Sequence, residues 1–241
     1  GKVRETLPAN VKVGKTGLKK GLGAGVFFVK HRLEARRARR FILDPISLIM
    51  LAVVVAFTFF MRGTGLLGVF LFSVYMQFFT VSTGRWMREL TLPYIYMVPE
   101  KPYVKLLACL SESILQIAVE AAVAALAIGA IMGLSALEIS ALAFSRLTFG
   151  VLFTAGFLLT DRLFAGLTIK WLVYVVLFVV LILLVVPGIA LGVWVLSAFP
   201  GVLPENLGML LLPAAANVPV ALAALFASRN MLTHAEMAGG K

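Results

Sequence analysis

The sequence predicts an all-α integral membrane protein: six transmembrane helices with both termini cytoplasmic, preceded by an N-terminal interfacial amphipathic helix. Three observations carry that prediction. Of the 241 residues, 61% are hydrophobic and 14% charged, with a mean hydropathy of +1.01, whereas about 25% of a soluble domain is charged. Apolar runs near the roughly 20 residues a spanning helix needs recur along the chain. Cations, finally, crowd at one end, with 12 of the 22 Lys and Arg residues in positions 1–45. A soluble enzyme, a disordered tail and a disulfide scaffold are all excluded.

The charge balance fits the same class. A formal charge of +11 on a soluble chain would suggest nucleic acid. Here the cations flank the first apolar run, so they point to topology and to anionic lipid at the basic N-terminal helix, and no nucleic-acid partner is expected. Cys109 stands alone and excludes an internal disulfide. The polar, basic opening is not that of a cleavable signal peptide.

Residues 1–45 read as a basic cytoplasmic lead-in and interfacial helix. Leu22, Val26, Val29 and Leu33 recur at helical spacing over 22–43, while Lys30, His31, Arg32, Arg36 and Arg37 gather largely elsewhere. A basic helix with one apolar stripe lies in the interface rather than crossing it. Asp44-Pro45 restarts the helix, with Asp44 expected as N-cap and Pro45 at the first helical position.

The six-span domain is expected over 46–228. Its first span covers Ile46–Met61, Arg62-Gly63-Thr64-Gly65 makes a tight turn, and the second covers Leu66–Ser82. A polar, Pro-punctuated cytoplasmic segment, 84–105, follows. The third and fourth spans are expected at Leu106–Leu134 and Ser140–Thr160, with a polar link from Asp161 to Lys170. The fifth apolar run, Trp171 to Phe199, carries Pro187-Gly188 in its middle. Proline removes a helical hydrogen bond, so the span is expected to end near Val186, with an outer re-entrant segment over 187–204. Gly208–Ala227 makes the sixth span and 229–241 a cytoplasmic tail. With the N-terminus inside, 20 of the 22 cations fall on the cytoplasmic side, Arg62 lies outside and Arg146 lies within the fourth span.

Catalytic constellations are missing from the sequence. Ala9 to Thr16 imitates a phosphate loop, but Ala9 replaces the first glycine and no strand precedes it. His31, His234 and Cys109 fall into no metal-ligand spacing. No cofactor, no metal and no enzymatic activity of the chain itself are expected.

Intramembrane ionisable groups stand out instead, since a charge near the bilayer centre costs at least ~2.5–3.5 kcal/mol. Glu112, Gln116 and Glu120 form one polar stripe on the third span, and Arg146 sits in the outer half of the fourth. The stripe reads either as a proton relay or polar substrate lining, or as structural glue with Glu120 paired across helices to Arg146. That pairing is expected to be imperfect, because Glu120 lies several ångströms deeper.

The segment Gly84-Arg85…Arg88-Glu89…Pro93…Pro99-Glu100-Lys101-Pro102…Lys105 resembles the loop between the second and third spans of the Putative ABC exporter permeases, relatives of the type-two ABC export permeases. Gly23-Ala24-Gly25…Leu33-Glu34…Arg36-Arg37 resembles the connecting helix before their first span, and Asp161-Arg162…Phe164 and Val186-Pro187-Gly188-Ile189 resemble motifs of later spans. The resemblance implies a permease that couples hydrolysis by a separate cytoplasmic ABC ATPase to export of a substrate the sequence does not identify; the large apolar residues of the spans are compatible with an amphipathic, lipid-like, drug or peptide cargo. Arg88, Glu89, Pro93, Pro99, Glu100 and Lys101 would contact the ATPase. It also implies a second permease half or a homodimer partner, and a place in the cell's inner (cytoplasmic) membrane. The opening Gly1-Lys2 reads as an internal junction, as expected for the second half of a two-half permease. The alternative is a proton-coupled secondary transporter using Glu112 and Glu120.

Overall fold

The computed structural model describes residues 23–37, 42–82, 84, 90, 100–164 and 170–229. Seven α-helices run through them: α1 (Gly25–Arg37), α2 (Pro45–Phe60), α3 (Leu66–Ser82), α4 (Pro102–Met132), α5 (Ala136–Phe164), α6 (Lys170–Ala198) and α7 (Glu205–Ser228). No strand occurs among the described residues. Helices α4 to α7 are long and apolar enough to cross a membrane, while α2 and α3 are shorter apolar helices of 16 and 17 residues. At ~1.5 Å per residue, each of these two extends about 25 Å.

Helix α5 is the centre of the bundle. It packs against α7, α4, α6 and α3, and α2 packs on α3 and α4. Lipid is as apolar as leucine, so close packing rather than exclusion from water drives helix association in a bilayer. The buried faces accordingly carry small residues: Ala124, Ala125 and Gly129 on α4, Gly150, Ala155 and Gly156 on α5, Ala214 and Ala221 on α7. The large side chains Phe60, Leu126, Ile182 and Leu183 point outward. On α6, Trp171 and Tyr174 are exposed at one end and Trp194 at the other. Trp171 and Trp194 lie about 35 Å apart along the axis, close to the thickness of a hydrocarbon core with aromatic belts at both faces.

The turns follow local chemistry. Thr64 donates from both its amide and its hydroxyl to the Met61 carbonyl, and Gly65 takes the left-handed conformation at φ +92°. Helix α4 stops at Gly133, also left-handed at φ +68°, with Leu134 N–H donating to the Gly129 carbonyl. A reciprocal capping box then starts α5. The Ser135 amide donates to Glu138 Oε2 at 2.9 Å, and the Glu138 amide to Ser135 Oγ at 3.3 Å. Asn206 Nδ2 donates to Glu138 Oε1 at 2.8 Å, tying the start of α7 to this corner.

Two expectations meet a different structure. Helix α6 is not broken at Pro187; it continues to Ala198, so residues 187–198 extend α6 instead of forming a separate piece. Proline forfeits one hydrogen bond, a loss that membrane helices tolerate. The site is closely supported: Gly188 is buried against α7, where an added Cβ would meet Asn217 Oδ1 and the Pro213 carbonyl. Asp44, expected to cap α2, occupies the N-cap position with extended backbone but makes no capping hydrogen bond from its side chain. Its carboxylate instead accepts from Gln116 Nε2 on α4 at 3.4 Å.

Candidate functional site

The polar groups of α2, α3, α4 and α5 converge inside the bundle. Glu112, Gln116 and Glu120 share one face of α4 because they recur every four residues. Gln116 Nε2 donates to Ser47 Oγ on α2 at 3.2 Å as well as to Asp44. One turn further, Glu120 Oε1 accepts from Thr80 Oγ1 on α3 and from Arg146 Nη2 on α5, each at 3.3 Å. Glu120 and Arg146 are 2% and 1% exposed, so the pair is wholly enclosed by protein. The depth offset expected between them does not prevent the contact.

The enclosure is more polar than the stripe alone suggests. Gln77 on α3 is fully buried, and among the described residues both ends of its amide lack hydrogen-bond partners, as do Ser145 Oγ, Arg146 Nε and Arg146 Nη1. Gln77 lies between α3, α4 and α5, since a Cβ at Gly150 would meet its Nε2 and the Ile117 side chain. A small crevice beside Glu120 is lined by Thr80, Ser113, Gln116 and Thr154 together with Val81 and Ile117, and reaches Gly84 just beyond α3. Unpartnered donors and acceptors around a neutral ion pair can hold water or a neutral polar group without adding net charge.

A second cluster forms at the base of α4. His31, set aside in the sequence, is buried on α1, with Nδ1 3.2 Å from Glu112 Oε2. Glu100 Oε1 accepts from the Ala24 amide at 3.3 Å. Lys101 occupies the N-cap position of α4 and is exposed. Of the residues expected at an ATPase, Arg88, Glu89, Pro93 and Pro99 lie outside the described residues, as does the phosphate-loop imitation at 9–16. Among the described residues, no group of three or more His, Cys, Asp or Glu is placed to hold a metal ion.

Sequence reasoning passed over Ser47, Gln77, Thr80 and His31. An isolated glutamine within an apolar run was a usable signal at Gln77, because an unpaired amide in hydrocarbon costs free energy. His31 carried no local signal, since its partner Glu112 is reached only through the docking of α1 on α4.

A third feature is apolar. A groove with room for about 260 Å³ runs between α3, α5 and α6, lined by Tyr75, Phe78, Phe153, Phe178 and Leu181 among others. No curated protein and no solved structure matches the chain. The model of one family, described as "Putative ABC exporter", matches residues 1–236. With an all-helical membrane architecture and a match over nearly its whole length, this chain belongs to the Putative ABC exporter family.

Proposed function

We propose that the chain is the membrane-spanning permease subunit, or half, of an ABC exporter, and that it couples hydrolysis by a separate cytoplasmic ABC ATPase to export of an amphipathic substrate. The observation that carries this reading is the family match over residues 1–236. In this arrangement α2 to α7 make six spans, with α2 and α3 reaching across by way of their flanking residues. The N- and C-termini are cytoplasmic, as the lopsided distribution of Lys and Arg supports. Segment 84–105 is the lever on which the ATPase acts, through Arg88, Glu89, Pro93, Pro99 and Lys101. A second permease half or a second copy completes the pathway, in the cytoplasmic membrane, with anionic lipid at the basic N-terminal region. The aromatic groove between α3, α5 and α6 supports a cargo with a large apolar part.

Glu112 and Glu120 serve packing rather than proton transport in this reading. Each carboxylate is already engaged by a basic side chain of a neighbouring helix, His31 or Arg146. Purification of the chain from its native membrane in mild detergent, with mass spectrometry of what accompanies it, tests the proposal. An ABC ATPase that co-purifies, and is lost when residues 88–101 are scrambled, is the expected result. A chain that comes down intact and alone contradicts it.

A further inference from the structure

Helix α1 is attached to the base of α4 at two points. The first is at its start. Gly23 adopts the left-handed conformation at φ +56°, and the Ala24 amide donates to Glu100 Oε1 at 3.3 Å. The space a side chain at Gly23 would fill is occupied by the Glu100 carboxylate, with which an added Cβ would collide. The first turn then closes through Val26 N–H to the Gly23 carbonyl and Phe27 N–H to the Ala24 carbonyl, both at 3.2 Å. The second point is His31, 2% exposed, against Glu112. Phe27, 1% exposed, is buried between the two.

These contacts have a physical logic. The first amides of a helix lack intrahelical partners, and a carboxylate placed there satisfies one of them while meeting the positive end of the helix dipole. Glu100 performs that service from 76 residues away in the sequence. Gly23 and His31 are about 12 Å apart along the axis. Two anchors that far apart fix the direction of a short rod, where one would leave it free to pivot. Glu100 also stands two residues before Pro102, the first residue of α4.

We propose that Glu100 is a positioning residue: its carboxylate latches the start of α1 to the end of segment 84–105, so that α1 moves with that segment as one body. The proposal rests on the reading of 84–105 as the lever driven by the ATPase, and it reassigns Glu100 from an ATPase contact to an internal one. Displacement of the lever is then delivered directly to α1, which leads into the first apolar helix.

Hydrogen exchange on the full chain tests the latch itself. Glu100→Ala, which removes the acceptor, should speed exchange of the amides of residues 24–29 about fivefold, the size of a lost helix cap. Gly23→Ala, which displaces the carboxylate without removing its charge, should act in the same direction. Glu100→Gln retains an acceptor oxygen and should stay near the unaltered chain. Amides of α5 serve as the folding control and should not change in any variant. Unchanged exchange at 24–29 in Glu100→Ala, with α5 intact, overturns the latch. In the complex with its ATPase, addition of a non-hydrolysable ATP analogue should alter exchange at 24–29 in the unaltered chain and not in Glu100→Ala. A response that persists in the variant, or that is missing from the unaltered chain, overturns the shared motion. Failure of an ATPase to co-purify bears on the permease reading alone and leaves the first experiment untouched.

Discussion

Arg146 Nη2 stands 3.3 Å from Glu120 Oε1 at the centre of the helix bundle, and neither side chain reaches the surface. The two residues come from consecutive long helices, α4 and α5, which run back to back through the turn at Gly133. The pair thus fixes the rotation of one helix against the other at a depth where either charge alone would be costly.

Removing one partner should hurt more than removing both. Arg146→Met or Glu120→Leu alone leaves an uncompensated buried charge and should cost roughly 3–5 kcal/mol. The double replacement, Glu120→Leu with Arg146→Met, should regain much of that loss. Thermal unfolding of the four proteins in one detergent gives the coupling, and additive losses would show that the pair does not act as a unit. Glu120→Gln should act mainly on stability; a selective loss of transport at normal stability would favour the proton relay.

Gly150 separates packing from backbone effects. A Cβ there would meet Ile117 and Gln77, so Gly150→Ala should destabilise by about 1–3 kcal/mol through overpacking. Gly68 on α3 has open space around it, and Gly68→Ala should be neutral or slightly stabilising, because alanine favours the helix. Equal melting temperatures for both variants would contradict the close approach of α3, α4 and α5.

The corner between α4, α5 and α7 depends on Ser135 and Glu138. Ser135→Ala removes the cap of α5 and should cost about 1 kcal/mol. Asn206→Ala, which removes the 2.8 Å hydrogen bond to Glu138, should loosen the start of α7 without affecting α2. Hydrogen exchange resolved by helix checks both, and uniform loosening of all helices would argue against a local corner.

What was legible in the sequence were features set by neighbouring residues. The bounds read for the second apolar run, Leu66–Ser82, are those of helix α3, and Asp44-Pro45 marks the start of α2. Features set by distant partners were not legible. The proline of the fifth run reads as a break in isolation, because the packing of the adjacent Gly188 against Asn217 and Pro213 comes from another helix, α7. Asp44 looked like a cap because the competing donor, Gln116, arrives only when α4 packs on α2. The polar stripe on α4 could be read from its four-residue spacing, yet nothing local indicated that His31 faces Glu112 or that Gln77 and Thr80 line the opposite wall.

In the proposed function, segment 84–105 carries the force of an ABC ATPase. A photoreactive amino acid in place of Trp86, illuminated in the native membrane and followed by mass spectrometry of the adducts, tests it directly. A specific adduct with an ABC ATPase is the expected result. Adducts with lipid alone, from a chain that is inserted and folded, would contradict it.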